Sequence, residues 1–419
     1  MPPPRNNGFS GHHVWLFRPN GQRTELSQKR TEISLTVRAP LPIIVCLDGC
    51  DGQISSVTKS NIVLTVPEPG RFELVERPYP NYLPGYAVIR TEIAPVCLEG
   101  SRIWAEHDFE FHDDPRHLGH EGVGVIDAIH PGSGFRKGDR VIVFQGDHCG
   151  QCHSCRNGLS PTYCVSNLPD HGGRALIGIE EKNDSESGGF AMAKYRLAPL
   201  ANLYRIPDAV DFKYAAACNC SFGVGFSNQE IMNVRAGDTV LVGGIGFIGM
   251  GHIISALYRN ATVIALMRNP YRRGLLERMG VQHFVDPSDE DWLEQIRALT
   301  YEGQGVDHSV DGSGVPYYQE KLMAATRLYG TVNFSGHTPG AKIELSPLHH
   351  VIDPAHQLMG QHDVRTRDRE YLVRALVNPR VQRMIDVMVT HEFPMSQAGA
   401  AFDVQVSKQC GKIYLHTQQ

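Results

Sequence analysis

The stretch Thr239-Val240-Leu241-Val242-Gly243-Gly244-Ile245-Gly246-Phe247-Ile248-Gly249 decides the fold. Its first five residues predict a buried strand, and the apolar run from Phe247 through Ala256 predicts a helix. Between them stands a G-x-G-x-x-G turn in the one context that makes the pattern informative. Gly244 permits the tight turn, Gly246 lets backbone approach a pyrophosphate, and Gly249 lets the helix lie close to the strand. The cofactor residues expected here are therefore Gly244, Gly246, Phe247, Ile248 and Gly249. An ordinary glycine-rich connection is the alternative reading.

Downstream the alternation continues. Ala261–Leu266 predicts a second strand, a helix runs through Met279, and Val306–Asp311 and Gly330–Phe334 predict two more strands. That order implies a doubly wound parallel sheet over residues 209–354. At the end of the second strand an acid would bind the ribose of NAD, but Met267 stands there. Arg268, Arg272 and Arg273 follow, and guanidinium groups suit a 2′-phosphate. The expected cofactor is NADP, with NAD possible. A solvated helix start is the alternative role for these arginines.

Upstream, residues 57–208 break into short β-like runs such as Asn61–Val66 and Gly122–Ile126, the pattern of a β-rich domain that residues 355–419 are expected to rejoin. Residues 1–56 are a polar extension with one strand-like run, Leu41–Leu47. A net charge of −5 argues against nucleic acid or an anionic membrane as partner and favours a small molecule. No apolar run reaches the roughly 18 residues of a bilayer span, and no secretion signal opens the chain, so a cytoplasmic location is expected.

Ten cysteines in such a chain suggest thiolate ligands more than disulfides. Cys149, Cys152, Cys155 and Cys164 have the spacing of one loop wrapping a tetrahedral zinc, and four thiolates close the coordination sphere, so that site is expected to be structural. A catalytic zinc needs three protein ligands and an open position. Cys97, His120 beside Glu121, and Cys218 are candidates, although each alone has a plain structural explanation.

In chain order these features resemble the zinc-dependent medium-chain dehydrogenase/reductase family, of the alcohol dehydrogenase type, from about Val57 to the C-terminus. The match runs through Cys97, the Gly119-His120-Glu121 motif, the Gly138-Asp139-Arg140-Val141 turn, the four-cysteine loop, Cys218 with Gly223 and Gly225, and the glycine turn. The resemblance implies a GroES-like β-rich catalytic domain plus a Rossmann cofactor domain. It also implies a catalytic zinc on Cys97, His120 and Cys218 with Glu121 beside it, a structural zinc on the loop, and a dimer or tetramer. Cys220 competes for the third position. The family's hydroxyl relay after the first cysteine is replaced by Glu99 and Gly100, so Glu99 or Ser101 is expected to move the proton.

The implied reaction is hydride transfer between a nicotinamide and an alcohol or carbonyl substrate. Two other readings stand beside it: a reductase or epimerase-like enzyme of sugar, cyclitol or phosphonate metabolism, and a nicotinamide-binding scaffold that has lost turnover. The phosphonate idea comes from Pro42–Asp51, which looks like the first strand and metal-binding aspartate, here Asp48, of phosphonate hydrolases; nothing downstream supplies that family's other groups. Pocket loops are expected at residues 104–117, 221–226 and 346–362, with His349, His350 and His362 as candidate lining.

Overall fold

The computed structural model describes residues 59–81, 84–106, 118–146, 148–167, 190–338 and 340–419, apart from the Glu99 side chain, together with the backbone of Trp15–Phe17 and Arg23–Glu25. Contacts divide the chain into Met1–Ser56 and Val57–Gln419. In the first unit Trp15–Phe17 and Arg23–Glu25 pair antiparallel; Leu41–Leu47 and Asp48 lie outside the described residues.

In the second unit a six-stranded parallel sheet has the spatial order His283–Val285, Thr262–Leu266, Thr239–Gly243, Val306–Asp311, Thr326–Phe334, Gln357–Met359. A parallel sheet covered on both faces needs strands apolar throughout, and Val240, Leu241 and Val242 are all fully buried. The chain winds outward from Thr239–Gly243 in one direction and then from Val306–Asp311 in the other. These two strands are neighbours, with Gly243 opposite Asp311. The switch in strand order therefore opens a crevice beyond their carboxyl ends, where such sheets bind ligands. Gln357–Met359 pairs with Thr331–Asn333, so the cofactor sheet extends past the expected boundary at 354. Three residues without apolar alternation gave no strand signal.

The β-rich part is a seven-stranded sheet in which Tyr86–Val96 is central, flanked by Gly122–Ile129, Tyr195–Pro199 and Lys412–His416. The C-terminal strand returns antiparallel to it, with Ile413 opposite Val96. This pairing carries Lys412 alongside the end of the strand that precedes Cys97.

Two helices join the halves at the crevice. Ser221–Met232 and Phe247–Tyr258 cross at backbone contact, since a Cβ on Gly225 would lie 2.5 Å from the Gly251 carbonyl carbon and one on Gly251 would lie 1.8 Å from the Ser221 oxygen. Only glycine allows that approach. The N-caps of these helices are Cys220 and Gly246. Both line the same cavity.

Candidate active site

The cavity holds about 420 Å3 and lies between the glycine turn and the β-rich sheet. Gly244 adopts φ +73°, and a Cβ there would collide with Ser313 at 2.4 Å; Gly249 sits so close that a Cβ would reach the Gly244 oxygen at 2.5 Å. Gly246 has nothing within 4 Å of a built Cβ and faces the cavity. The Gly246 amide turns back on the Gly244 carbonyl at 2.9 Å, and the turn ends at the N-terminus of Phe247–Tyr258, the end of a helix that receives phosphate. Gly312 and Ser313 form the facing edge, where the Asp311 carboxylate accepts hydrogen bonds from the Ser313 amide (2.8 Å) and the Gly314 amide (3.0 Å).

The three arginines do not converge. Arg272 turns under the glycine loop and donates to the Ile245 carbonyl at 2.8 Å. Arg273 pairs with Glu277 at 2.9 Å and stacks over Phe284. Arg268 remains exposed directly after the buried Met267.

At the floor, Cys97 follows the last residue of Tyr86–Val96, Glu121 immediately precedes Gly122–Ile129, and Cys220 caps its helix. The ligand atoms of Cys97, His120, Glu121 and Cys220 all lie within 4.8 Å of one another. The Cys97 thiol is held well below its ordinary pKa because the Cys220 thiol donates to it and the Lys412 ammonium and His120 attract the negative charge; Cys220 is raised correspondingly. Burial pushes Glu121 up to about 7, with Lys412 pulling the other way. Lys412 donates to Glu121 Oε1 at 2.5 Å, while Glu121 Oε2 is buried without a hydrogen-bond partner. Two sulfurs, an imidazole and an orphaned carboxylate oxygen form a donor set suited to zinc.

Cys218 is not part of this cluster. Its side chain is fully buried in the main hydrophobic core, where burial raises the thiol pKa. Of the two cysteines, the structure groups Cys220 with Cys97, His120 and Glu121. The spacing to Gly223 misled because a Cβ on Gly223 would lie 1.9 Å from the Cys218 carbonyl oxygen: the glycine accommodates that backbone and says nothing of the thiol.

Ser101 is buried at the cavity wall and donates to the Leu98 carbonyl at 2.8 Å. Glu99 lies in the first turn of Leu98–Glu106, and its side chain is outside the described residues. His362 lines the cavity, whereas His350 accepts from the Ser346 amide and His349 pairs with Asp353 outside it. Sequence reasoning missed Lys412 and Gln145. A lysine inside the apolar strand Lys412–His416 was the available signal for the first; Gln145, a cavity residue in the loop after Arg140–Val143, offered none.

The four-cysteine loop is closed upon itself. Its Sγ–Sγ distances include 3.5 Å (Cys152–Cys155), 3.6 Å (Cys155–Cys164) and 3.9 Å (Cys149–Cys155 and Cys152–Cys164). Zinc–sulfur bonds of about 2.3 Å in a tetrahedron give an edge of about 3.8 Å. The Cys152 amide points at the Cys149 sulfur at 3.3 Å, as a thiolate would require.

A glycine turn at a parallel-sheet switch point, facing a thiol–imidazole cluster, defines the class: a nicotinamide-dependent, zinc-type oxidoreductase. The family model of the alcohol dehydrogenase GroES-like domain matches residues 83–208, and that of zinc-binding dehydrogenases matches 248–375. An uncharacterized zinc-type alcohol dehydrogenase-like protein of Escherichia coli is 29% identical over 71% of this chain and 80% of its own. Alcohol dehydrogenase 1 of Artemisia annua is 27% identical over 72% of this chain and 83% of its own. The solved alcohol dehydrogenase of a Thermus species superposes with a TM-score of 0.72 at 20% identity, covering 85% of this chain and 99% of that one. The chain belongs to the zinc-type alcohol dehydrogenase branch of the medium-chain dehydrogenase/reductase family. It is an oxidoreductase of GroES-like and Rossmann domains that uses zinc and a nicotinamide cofactor.

Proposed function

We propose that this enzyme moves a hydride between NADP(H) and a small polar alcohol or its carbonyl counterpart, with catalytic zinc on Cys97, His120 and Cys220 and structural zinc on Cys149, Cys152, Cys155 and Cys164. The observation that carries the reading is the Cys97–His120–Glu121–Cys220 cluster, whose Cys97, His120 and Cys220 share one cavity with Gly246. Zinc, when bound, polarises a carbonyl oxygen and lowers the pKa of a bound hydroxyl.

The chain's own residues do the rest. The Cys220 thiol, together with Lys412 and His120, favours the thiolate form of Cys97, and Lys412 offsets the buried negative charge that this sulfur and the Glu121 carboxylate create. Glu121, with one oxygen held by Lys412 and the other open, is placed to support the metal from the protein side. The Ser101 hydroxyl, its proton committed to Leu98, offers its lone pairs to a substrate proton. Gly246, Phe247 and Ile248 seat the dinucleotide, and Arg268 is the residue we assign to a 2′-phosphate, with Met267 standing where a ribose-binding acid would be.

The cavity lining includes the polar side chains of Gln145, Arg102, His337 and His362 among the apolar ones of Leu98, Ala105, Val224 and Val406. Those polar groups offer hydrogen-bond partners to a hydroxyl-bearing substrate, in keeping with the sugar or cyclitol reading. Among the described residues eight cysteines are free of disulfides, in keeping with a cytoplasmic location. Exposed Leu328, Tyr329 and Ile352 support self-association into a homo-oligomer.

The test joins metal analysis to absorbance at the reduced-nicotinamide band over a panel of polyols, alkanols and their carbonyl counterparts. Two zinc ions per chain and NADPH-linked turnover are expected. A fully zinc-loaded protein that binds dinucleotide and turns over none of the panel would sink the assignment.

A further inference from the structure

The four-cysteine loop does more than close on itself. Its residues 158–163 lie against the segment 361–367, whose Gln361, His362 and Asp363 line the cavity. The Tyr163 hydroxyl accepts from the His362 amide at 2.8 Å, and the two rings lie 6.5 Å apart. Thr162 hydrogen-bonds the Asp363 carboxylate. The Arg367 amide donates to the Gly158 carbonyl at 3.0 Å and the Thr366 amide to the Leu159 carbonyl at 3.3 Å.

From the other side the same segment is held by the helix that Cys220 caps. Gln361 and the Arg365 amide both donate to the Ser227 hydroxyl, at 3.3 and 3.1 Å, and Asn228 donates to the Gln361 carbonyl at 3.3 Å. One stretch of cavity wall is therefore clamped between the four-cysteine loop and the helix of the floor.

We infer that the four-cysteine loop is a positioning element for substrate: through Tyr163 and Thr162 it fixes where His362 and Asp363 stand in the cavity. Neither Tyr163 nor Thr162 lines the cavity, so each acts through another residue. The loop's geometry in turn depends on its four sulfurs. The state of that cluster is thereby transmitted to substrate affinity while the dinucleotide, seated on the glycine turn of a different wall, is left alone. This inference rests on the reading of the cavity as the active site.

The experiment is Tyr163→Phe in the full-length, zinc-loaded enzyme, with Thr162→Val as a second variant should the first fail to fold. Hydrogen exchange at the amides of 361–367 is expected to quicken about five-fold, the effect of one neutral hydrogen bond, while the strand Thr239–Gly243 keeps its protection. For whichever compound of the polyol and alkanol panel turns over fastest, KM should rise about five-fold with kcat, NADPH Kd and zinc content unchanged. Wild-type exchange and KM in both variants would overturn the inference, as would a uniform rise in exchange with loss of zinc, which marks a merely structural role. If no panel compound turns over, the proposed activity fails and the exchange measurement still decides the positioning.

Discussion

The Lys412 ammonium and the Glu121 carboxylate meet at 2.5 Å with both side chains fully shielded from solvent. Strand Lys412–His416 returns from the far end of the chain to make this pair. Burial alone would lower the Lys412 pKa, but the negative charge of Glu121 and of the cysteine pair Cys97 and Cys220 raises it, so the lysine stays charged. Removing one partner strands the other. Lys412→Met is expected to cost about 3–5 kcal/mol of stability and to reduce occupancy at the cluster. The double variant Lys412→Met, Glu121→Gln should recover part of the stability without the metal. Urea denaturation with zinc analysis reads both quantities; a stable, fully metallated Lys412→Met enzyme would show that the pair carries no such weight.

Two cysteines two residues apart give a sharp discrimination. Cys220→Ser is expected to lose one zinc per chain and about 10²-fold or more in kcat, the scale of losing a group that stabilises transition-state charge. Cys218→Ser should keep both zinc ions and lose only stability, about 1–3 kcal/mol for placing a hydroxyl in an apolar core. The reverse pattern would restore the assignment that the sequence alone suggested.

Four strands of the cofactor sheet were readable, Thr239–Gly243 and Thr262–Leu266 as apolar runs around a glycine turn that stands between a strand and a helix, whereas the three-residue strands His283–Val285 and Gln357–Met359 gave no signal. The floor of the site was readable for Cys97, His120 and Glu121, which flank strand ends. The choice between Cys218 and Cys220 was not readable, because two residues separate a thiol facing the cleft from one facing the core. Lys412 and the cavity wall escaped because their roles come from pairings across 291 residues, as with Glu121, or 199, as between Tyr163 and His362. Local patterns carry no trace of such contacts.

Of the three arginines, Arg268 is exposed after the second strand, Arg272 lines the cavity beneath the glycine turn, and Arg273 pairs with Glu277. Arg268→Ala should weaken NADPH about ten-fold and NADH hardly at all, since one charge-assisted hydrogen bond is worth about 1.5–3 kcal/mol. Arg273→Ala, which removes the Glu277 pair and the stacking on Phe284, should leave both dinucleotides unchanged. Fluorescence titration of the reduced cofactors checks this, and equal losses for NADPH and NADH at Arg268 would remove the phosphate contact.

His252 supplies a pH dependence of stability that has no connection with the metal. It is fully buried in the helix behind the glycine turn; Nε2 meets Ser335 Oγ at 3.1 Å and Nδ1 has no partner. Burial first, and then the neighbouring Arg259 charge, depress its pKa from 6.5 to about 3. A folded-state value below the unfolded one means that the unfolded chain binds a proton the native chain refuses. The contribution is therefore complete above pH 6.5 and is lost as the pH falls towards 3, at up to about 1.4 kcal/mol per pH unit. His252→Gln keeps a donor towards Ser335 and cannot be protonated. Urea unfolding of both proteins between pH 7 and about pH 4.5 should show the wild type losing stability faster than the variant. Parallel pH profiles would mean that His252 takes up its proton within the folded enzyme.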